Sequence, residues 1–573
     1  RPNLHHRLAL PRPCSKKKFF MILPSNPSWL SSILRSSTVL AVLCALAWFG
    51  WQSSSNRFSE ELFIPIPKVK HLHPLVSLEW DSQKVDPHQA GKAPTAHPGY
   101  ALALAHCTRC HGLPTPQQLP RETWPFVMTW MSNYLGYTNL YGPFQNNVDS
   151  IQIPSQPLVS ESELQAISEY YLLYAPLEIR PDERTTALRP GSLKQFTPRP
   201  PPMQVPEDEI ITLTHWDPSR HQLYLGRASH RSLQVFDAEG QILLQKACAS
   251  EPVDVTPLPN GFRLTLMGHF LEDRLGGTVM DVSVSDASSL DTQTHVEGFH
   301  RLTQCLSEDI NEDGYTDLLL VGFGAGIEGR VSLFWGDAQG TFKEETILLD
   351  HAGALCARST DLDQDGLMDL MILTAQQHQE LLLFTQQVDG DFERSVLIKQ
   401  GAGYGYNGFE LVDWNQDERV DLLMVNGNNM EIRNAPIKNY HGIRILQQTQ
   451  ERTFDEALFY PFPGAIKALA TDFDQDGDLD VAAIAFYPDW SQEHPLTFVY
   501  LEQKEGTLTA STTALKDWGR WMTMDAGDFN QDGYPDLILG GAYVKHGVHD
   551  LHQAHYQSLP HPSILMLDNV GAR

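Results

Sequence analysis

Cys107-Thr108-Arg109-Cys110-His111 sets two thiols two residues apart and an imidazole directly after the second. In this C-x-x-C-H spacing both sulfurs can bond the vinyl groups of one haem while the histidine ligates its iron. The sequence therefore predicts one covalent haem c on Cys107, Cys110 and His111. A thioredoxin-like pair would need a β-α-β context and a zinc site a second Cys pair; neither accompanies the motif. The sixth iron position calls for a soft or imidazole side chain downstream. Met128 and Met131 are the candidates, with core packing the other use of either.

A second chemistry repeats along the chain. Five loops begin Asp309-Ile-Asn311-Glu-Asp313-Gly314 and end at Asp317, and their counterparts run Asp361, Asp363, Asp365 to Asp369; Asp413, Asn415, Asp417 to Asp421; Asp472, Asp474, Asp476 to Asp480; and Asp528, Asn530, Asp532 to Asp536. Hard oxygens at positions 1, 3, 5 and 9, with glycine at position 6 for the sharp turn, are suited to calcium, up to five ions in all. An EF-hand would also need Glu at position 12, where Leu320, Ile372, Met424, Ala483 and Leu539 stand instead. The third loop has Glu418 in the glycine position, which a positive φ penalises.

The elements that carry these residues differ. Each Asp loop runs straight into an apolar stretch such as Leu318-Leu319-Leu320-Val321 or Leu422-Leu423-Met424-Val425, so the loops lead into strands. Their starts are 52, 52, 59 and 56 residues apart, the size of a propeller blade. Two earlier β-patterned stretches, 215–226 and 253–267, lack the acids and bring the expected total to seven blades. Around the Cys motif the pattern is helical: 97–111, 121–134, and 160–174, where Leu164, Ile167, Tyr171 and Tyr174 follow a capping-box-like Ser160 and Glu163. The expected architecture is multidomain, a small all-α cytochrome c-like domain followed by an all-β propeller with Asp-rich calcium loops. Its parts are a targeting region at 1–57, a tether at 58–95, the haem domain at 96–180, a stiff Pro-rich linker at 181–206 and the propeller at 207–573.

The Asp loops and their strands resemble integrin-alpha-like FG-GAP and VCBS-type repeats, over roughly residues 250–545, and Phe323-Gly324-Ala325-Gly326 fits that pattern. The segment around the Cys motif resembles a cytochrome c module that precedes FG-GAP-type propellers in exported bacterial proteins. In that module a Trp after the motif is followed by a Met and a Leu-Gly. Here these are Trp124, Met131 and Leu135-Gly136, so the resemblance implies Met131 as the axial ligand.

The net charge of −28 falls on the body of the chain, because eight Lys or Arg and no acid precede Glu60. Such a body disfavours nucleic acid and anionic lipid as partners. The apolar run 38–51, behind Lys16, Lys17 and Lys18, is short of the roughly 20 residues of a full span. It reads as a signal peptide or a signal anchor, which implies export to the periplasm or cell surface, with membrane contact only through that segment if it stays uncleaved. Cys305 and Cys356 are either buried thiols or a bridge between neighbouring blades. His546, His549, His552 and His555 form either a solvated insertion or a ligand cluster. Arg358, Lys467 and Arg520 precede Asp loops, where they can salt-bridge the acids or face a central channel and bind an anion. No catalytic motif is evident. The expected function is electron transfer to an unknown redox partner, with the propeller docking a protein, glycan or substrate. The rivals are a haem-coupled dehydrogenase and an adhesin.

Overall fold

The computed structural model describes residues 95–109, 111–137, 154, 156–179, 190–269, 275–286, 289–325, 328–430, 434–504, 506–513, 519–545 and 547–571. All belong to one compact unit, Phe63–Arg573. The expected targeting region, the tether up to residue 94, Cys110 and His546 lie outside the described residues. Among the described residues, no helix is long and apolar enough to cross a membrane.

The regular elements described within 95–179 are all helices, joined by turns and irregular stretches. The helix Pro98–Cys107 starts with proline in its first turn, and His97 caps it by accepting from Gly99 N. The helix Glu161–Tyr174 opens on a capping box: Ser160 Oγ accepts from Glu163 N, and the Glu163 carboxylate accepts from Ser160 N at 2.7 Å. Gly99 lets these two helices touch, since a Cβ there would stand 2.0 Å from Ala166 O. Between them, the stretch 121–134 breaks into a helix, Trp124–Ser132, and a 3₁₀ turn, Asn133–Leu135. Arg121 turns inward instead of starting the helix, and its guanidinium donates to Ala175 O. Trp124 stacks on Tyr171 at 4.1 Å within a core that includes Ala103, Met128, Leu135, Leu164 and Ile167.

The rest of the chain forms seven sheets arranged as a closed ring of blades, each with four antiparallel strands and one of them extended by a short fifth strand that pairs in parallel. They span 211–247, 252–300, 302–349, 354–399, 406–461, 465–512 and 521–569. The first strand of each blade neighbours the first strand of the next all the way round, so these strands are innermost. The runs after the Asp loops are continuous rather than alternating because each blade is covered on both faces. Leu318, Leu319, Leu320 and Val321 are all fully buried. Each junction between blades has its own apolar cluster, such as Leu319, Val331, Ala357 and Ile372 between the third and fourth.

Side chains also sew the inner strands together. Thr212 Oγ1 donates to Pro252 O, and Asp254 Oδ2 accepts from Cys305 N at 2.9 Å. Gln304 Oε1 accepts from Ala357 N, and Arg358 pairs with Glu410 at 2.8 Å. Asn407 Nδ2 donates to Ala465 O, Arg520 Nε to Phe486 O, and Asp525 Oδ2 accepts from Trp216 N. Every one of the seven junctions thus has at least one polar stitch.

The expected linker at 181–206 is a correction to make. Gly191–Ser192 pairs in parallel with Thr507–Thr512, and Phe196–Arg199 pairs antiparallel with Ile564–Asn569 as the outer strand of the last blade. That blade draws only three strands from the C-terminal end, so its open edge takes a fourth from before the first blade. Pro198 is tolerated because an outermost strand has one N–H side without a partner. The propeller therefore starts near residue 191, not 207.

Antiparallel pairing sorts the connections into two ends. The Asp loops join first to second strands, and share one end with the hairpins between third and fourth strands. Arg452 from such a hairpin accordingly reaches Asp363 at 2.9 Å. The crossings between blades and the long second-to-third connections within 427–441, 486–497 and 542–563 lie at the opposite end where they are described. There Lys438 donates to Gly403 O and Asp550 N to Asn434 Oδ1.

Phe196 tests the closure. It is buried against Phe473 and Tyr500, each 5.3 Å away between ring centres. Phe196→Ala is expected to cost the propeller about 3–5 kcal/mol in denaturant unfolding. A loss below about 1 kcal/mol would mean that this strand does not hold the ring shut.

Candidate functional site

All five Asp loops share one hydrogen-bond plan. The position-1 carboxylate accepts from the N–H groups of positions 5 and 6, as Asp309 does from Asp313 and Gly314 and Asp472 from Asp476 and Gly477. Position 5 accepts from position 7, as in Asp365 with Leu367. Position 4 is left-handed throughout, at Glu312, Gln364, Gln416, Gln475 and Gln531, and so is position 6. Glu418 takes that last conformation at φ 64° where the other four loops have glycine.

Position 9 is different in kind. Asp317, Asp369, Asp421, Asp480 and Asp536 are at most 1% exposed. One oxygen of each accepts from the N–H of position 2, for example Ile310 to Asp317 and Trp414 to Asp421. The other accepts from a backbone N–H in or beside the third strand: Gly336, Gln386, Gln448, Gln503 and Asn569 in turn, at 2.7–3.0 Å. Tyr500 adds its hydroxyl to Asp480 at 2.6 Å. Both oxygens therefore hold the loop to its blade. Burial and neighbouring acids push Asp480 up to about 7 and Asp369 and Asp536 up to about 6, and raise Asp317 and Asp421.

Two loops bring three carboxylates together. Asp361, Asp363 and Asp365, and likewise Asp472, Asp474 and Asp476, each offer oxygens within 4.8 Å of one another. That span is about twice a calcium–oxygen distance of roughly 2.4 Å, so one ion fits among them. In the other loops position 3 is Asn, and Asn311 and Asn415 turn their amides to Asp313 and Asp417. Basic residues that sequence reasoning missed also compete for these acids. Arg419 grips Asp417 through Nε and Nη2, and Arg452 holds Asp363. The base at position 7 of the third loop was the readable signal. Asp472, Asp474 and Asp476 meet less competition, with Lys504 Nζ 3.7 Å from Asp476, although Asp474 is itself buried.

The Cys motif lies at the other end of the propeller. Cys107 ends its helix, half-buried, and Arg109 Nη2 donates to Tyr134 O. His111 is buried, and its Nδ1 lies 2.7 Å from Gly112 O. With Nδ1 donating there, Nε2 keeps a free lone pair, which is the arrangement an iron ligand needs. Burial also holds its pKa below the usual range, which favours the neutral ring. Met128 is consumed by the core, whereas Met131 is half-buried and stands outside that cluster. Gly112 N donates to Gln400 O at 2.8 Å, forming a bridge to the crossing between the fourth and fifth blades. A Cβ at residue 112 would meet the Gln400 carbonyl at 2.8–2.9 Å, so glycine permits this approach.

The remaining candidates separate. Arg358 salt-bridges Glu410. Cys305 and Cys356 are separate thiols, both held above the ordinary range by burial. His549 caps the 3₁₀ turn Asp550–His552 through its side chain and stands 5.5 Å from His552 between rings. Lys467 lies on an inner strand.

Fold and loops define a class: a seven-bladed β-propeller in which five blades carry an Asp loop between first and second strands. The repeats themselves are FG-GAP-like, the family of that description matching residues 309–372, 361–424 and 472–539. No curated protein matches the chain. Among solved structures it is similar to Sqt1 of Saccharomyces cerevisiae (TM-score 0.39, 7% identity, 67% of this chain and 100% of that one). It is also similar to an ancestral GH74 enzyme (0.40, 10%, 64% and 48%) and to BBS1N from its complex with ARL6DN (0.39, 8%, 66% and 97%). Likenesses this slight carry no argument.

Two outcomes test the loops. Asp369, Asp480 and Asp536 bind protons more tightly folded than unfolded, where a carboxyl titrates near 3.9. Their contribution is greatest at low pH and is lost as pH rises through about 6 to 7. In chelator the melting temperature should therefore fall between about pH 5 and 8, while calcium flattens the curve by taking the protons' place. Identical curves with and without calcium would leave these loops as turns only. Separately, Glu418→Gly should stabilise the propeller by about 1 kcal/mol in thermal unfolding by relieving the left-handed side chain.

Proposed function

We propose that the chain is an exported electron carrier in which an FG-GAP-like propeller docks a partner or substrate and presents a covalent haem c. Cys107 and Cys110 would form the thioethers and His111 the proximal ligand, with Met131 as the opposite axial ligand. The observation that carries this reading is His111: buried, favoured in its neutral form, and with Nδ1 engaged so that Nε2 is left for iron. The half-buried Met131, beside a Met128 already committed to packing, supports the choice of ligand. His/Met ligation raises a haem's potential and suits electron transfer over oxygen chemistry. Calcium in the Asp loops, above all at Asp361, Asp363 and Asp365 and at Asp472, Asp474 and Asp476, would stiffen the opposite end of the ring.

Expression with a haem-attachment apparatus in an exporting host tests it. The chain should keep its haem through denaturing electrophoresis, and C107A/C110A should lose it. Met131→Ala should lower the reduction potential and abolish the Met-to-iron charge-transfer band, with Met128→Ala costing stability instead. A chain that carries no denaturation-resistant haem under those conditions is not a c-type cytochrome.

A further inference from the structure

Cys107 closes a helix, but His111 belongs to no regular element. The orientation of its imidazole is therefore set by the loop that follows rather than by a helix. Its Nδ1 lies 2.7 Å from the carbonyl oxygen of Gly112, so whatever fixes that peptide also fixes the ring. The loop 112–118 is clamped from two sides. From the helical side Tyr171 Oη donates to Pro114 O at 3.0 Å, and Trp124 Nε1 donates to Pro116 O at 3.0 Å. From the propeller side Gly112 N donates to Gln400 O at 2.8 Å.

Gly401 extends this second contact. A Cβ there would stand 3.2 Å from Pro114 Cα and 3.4 Å from Gln118 Oε1. Neither Gly112 nor Gly401 has a positive φ, so glycine serves close approach at both positions and not an unusual backbone conformation. The crossing 400–405 that presents Gln400 and Gly401 is itself pinned. Gln400 N donates to Gln379 O at 2.9 Å, and the neighbouring Lys399 pairs with Glu380 at 2.8 Å, both within the fourth blade. Tyr404 N donates to Gly401 O at 3.1 Å, and Lys438, from the fifth blade's long connection, donates to Gly403 O at 2.8 Å. A crossing fastened to two blades is a rigid support, and it imposes its geometry on the loop that rests against it.

We propose, resting on the haem reading, that the crossing between the fourth and fifth blades is a positioning element for the iron ligand: Gln400 and Gly401 hold the Gly112 peptide so that its carbonyl keeps His111 Nδ1 engaged and leaves Nε2 for the iron. The propeller then acts on the haem site directly, through two backbone groups, besides docking a partner. A hydrogen bond from Nδ1–H to a carbonyl makes an imidazole a more basic ligand, which favours the ferric state. Loosening the Gly112 peptide should accordingly raise the reduction potential.

Gly401→Val tests it from outside the motif, by pressing Pro114 away from the crossing. In the haem-free full chain, diethyl pyrocarbonate should acylate His111 about tenfold faster in this variant than in the parent, as expected for a lost hydrogen bond. Mass spectrometry reads the rate, with the exposed His230 of the first blade as the reference. Gly112→Ala, which presses on the Gln400 carbonyl from the other side, should have the same effect. Gly401→Ala asks less of Pro114 and should show a smaller change of the same sign, which covers the case in which valine unfolds the blade. In the haem-loaded chain Gly401→Val should keep its covalent haem at a higher potential than the parent. Unchanged acylation of His111 in both Gly401→Val and Gly112→Ala would overturn the proposal. So would faster acylation with an unaltered potential, which would make the crossing a structural contact only. A parent chain without covalent haem would sink the proposed function instead, and the acylation rates would still decide whether the crossing positions His111.

Discussion

A single buried carboxylate recurs in each of the five blades that carry an Asp loop, and the loop end of the propeller depends on it. Position 9 of each Asp loop sits where the chain enters the second strand, at most 1% exposed, and ties the loop's start to the third strand. A carboxylate in that place has lost most of its hydration, and the backbone N–H groups return only part of it. The residual strain appears as raised proton affinity, at about 7 for Asp480. Either a proton or a nearby cation relieves it. The acids of a loop, at positions 1, 5 and 9 and in two loops also at position 3, are thus one electrostatic unit in which position 9 fixes the turn.

That unit explains why the loops are unequal. Asp472, Asp474 and Asp476 meet little competition from basic side chains, while Arg419 and Arg452 already neutralise acids in the third and second loops. Gln416 and Gln475 donate to the carbonyls of Gly477 and Gly533, so the third, fourth and fifth loops are joined side by side. Two side-chain hydrogen bonds thus connect three neighbouring turns along one end of the ring.

The sequence made the ring legible through period and pattern. Asp loops at 52 to 59 residue steps, each before a fully apolar run, can be satisfied only by sheets covered on both faces. Phe196–Arg199 was hidden because its proline content matches an extended linker, and its partner, Ile564–Asn569, lies more than 350 residues away. Nothing local distinguishes a stiff linker from an edge strand; only the missing fourth strand of the last blade does. The double use of position 9 was equally invisible, since spacing cannot separate an acid that points at a metal from one that points at a backbone N–H. Arg520 and Arg358 look alike in the sequence, and only the neighbourhood of each gives Arg358 an acid and Arg520 a backbone carbonyl.

The closing strand also changes how the helical segment must be seen. A chain that paired only from residue 207 would leave that segment swinging on an unpaired leash. Pairing at 191–199 moves its point of attachment onto the last two blades, and Gly112 against Gln400 adds a contact at the crossing between the fourth and fifth. Two anchors on different blades restrict rotation far more than one. His111, next to Gly112 in the chain, is then held at the end of the ring that also carries the long connections described within 427–441, 486–497 and 542–563, with the Asp loops at the far end. An ion entering the Asp loops acts on that end only through the blades between.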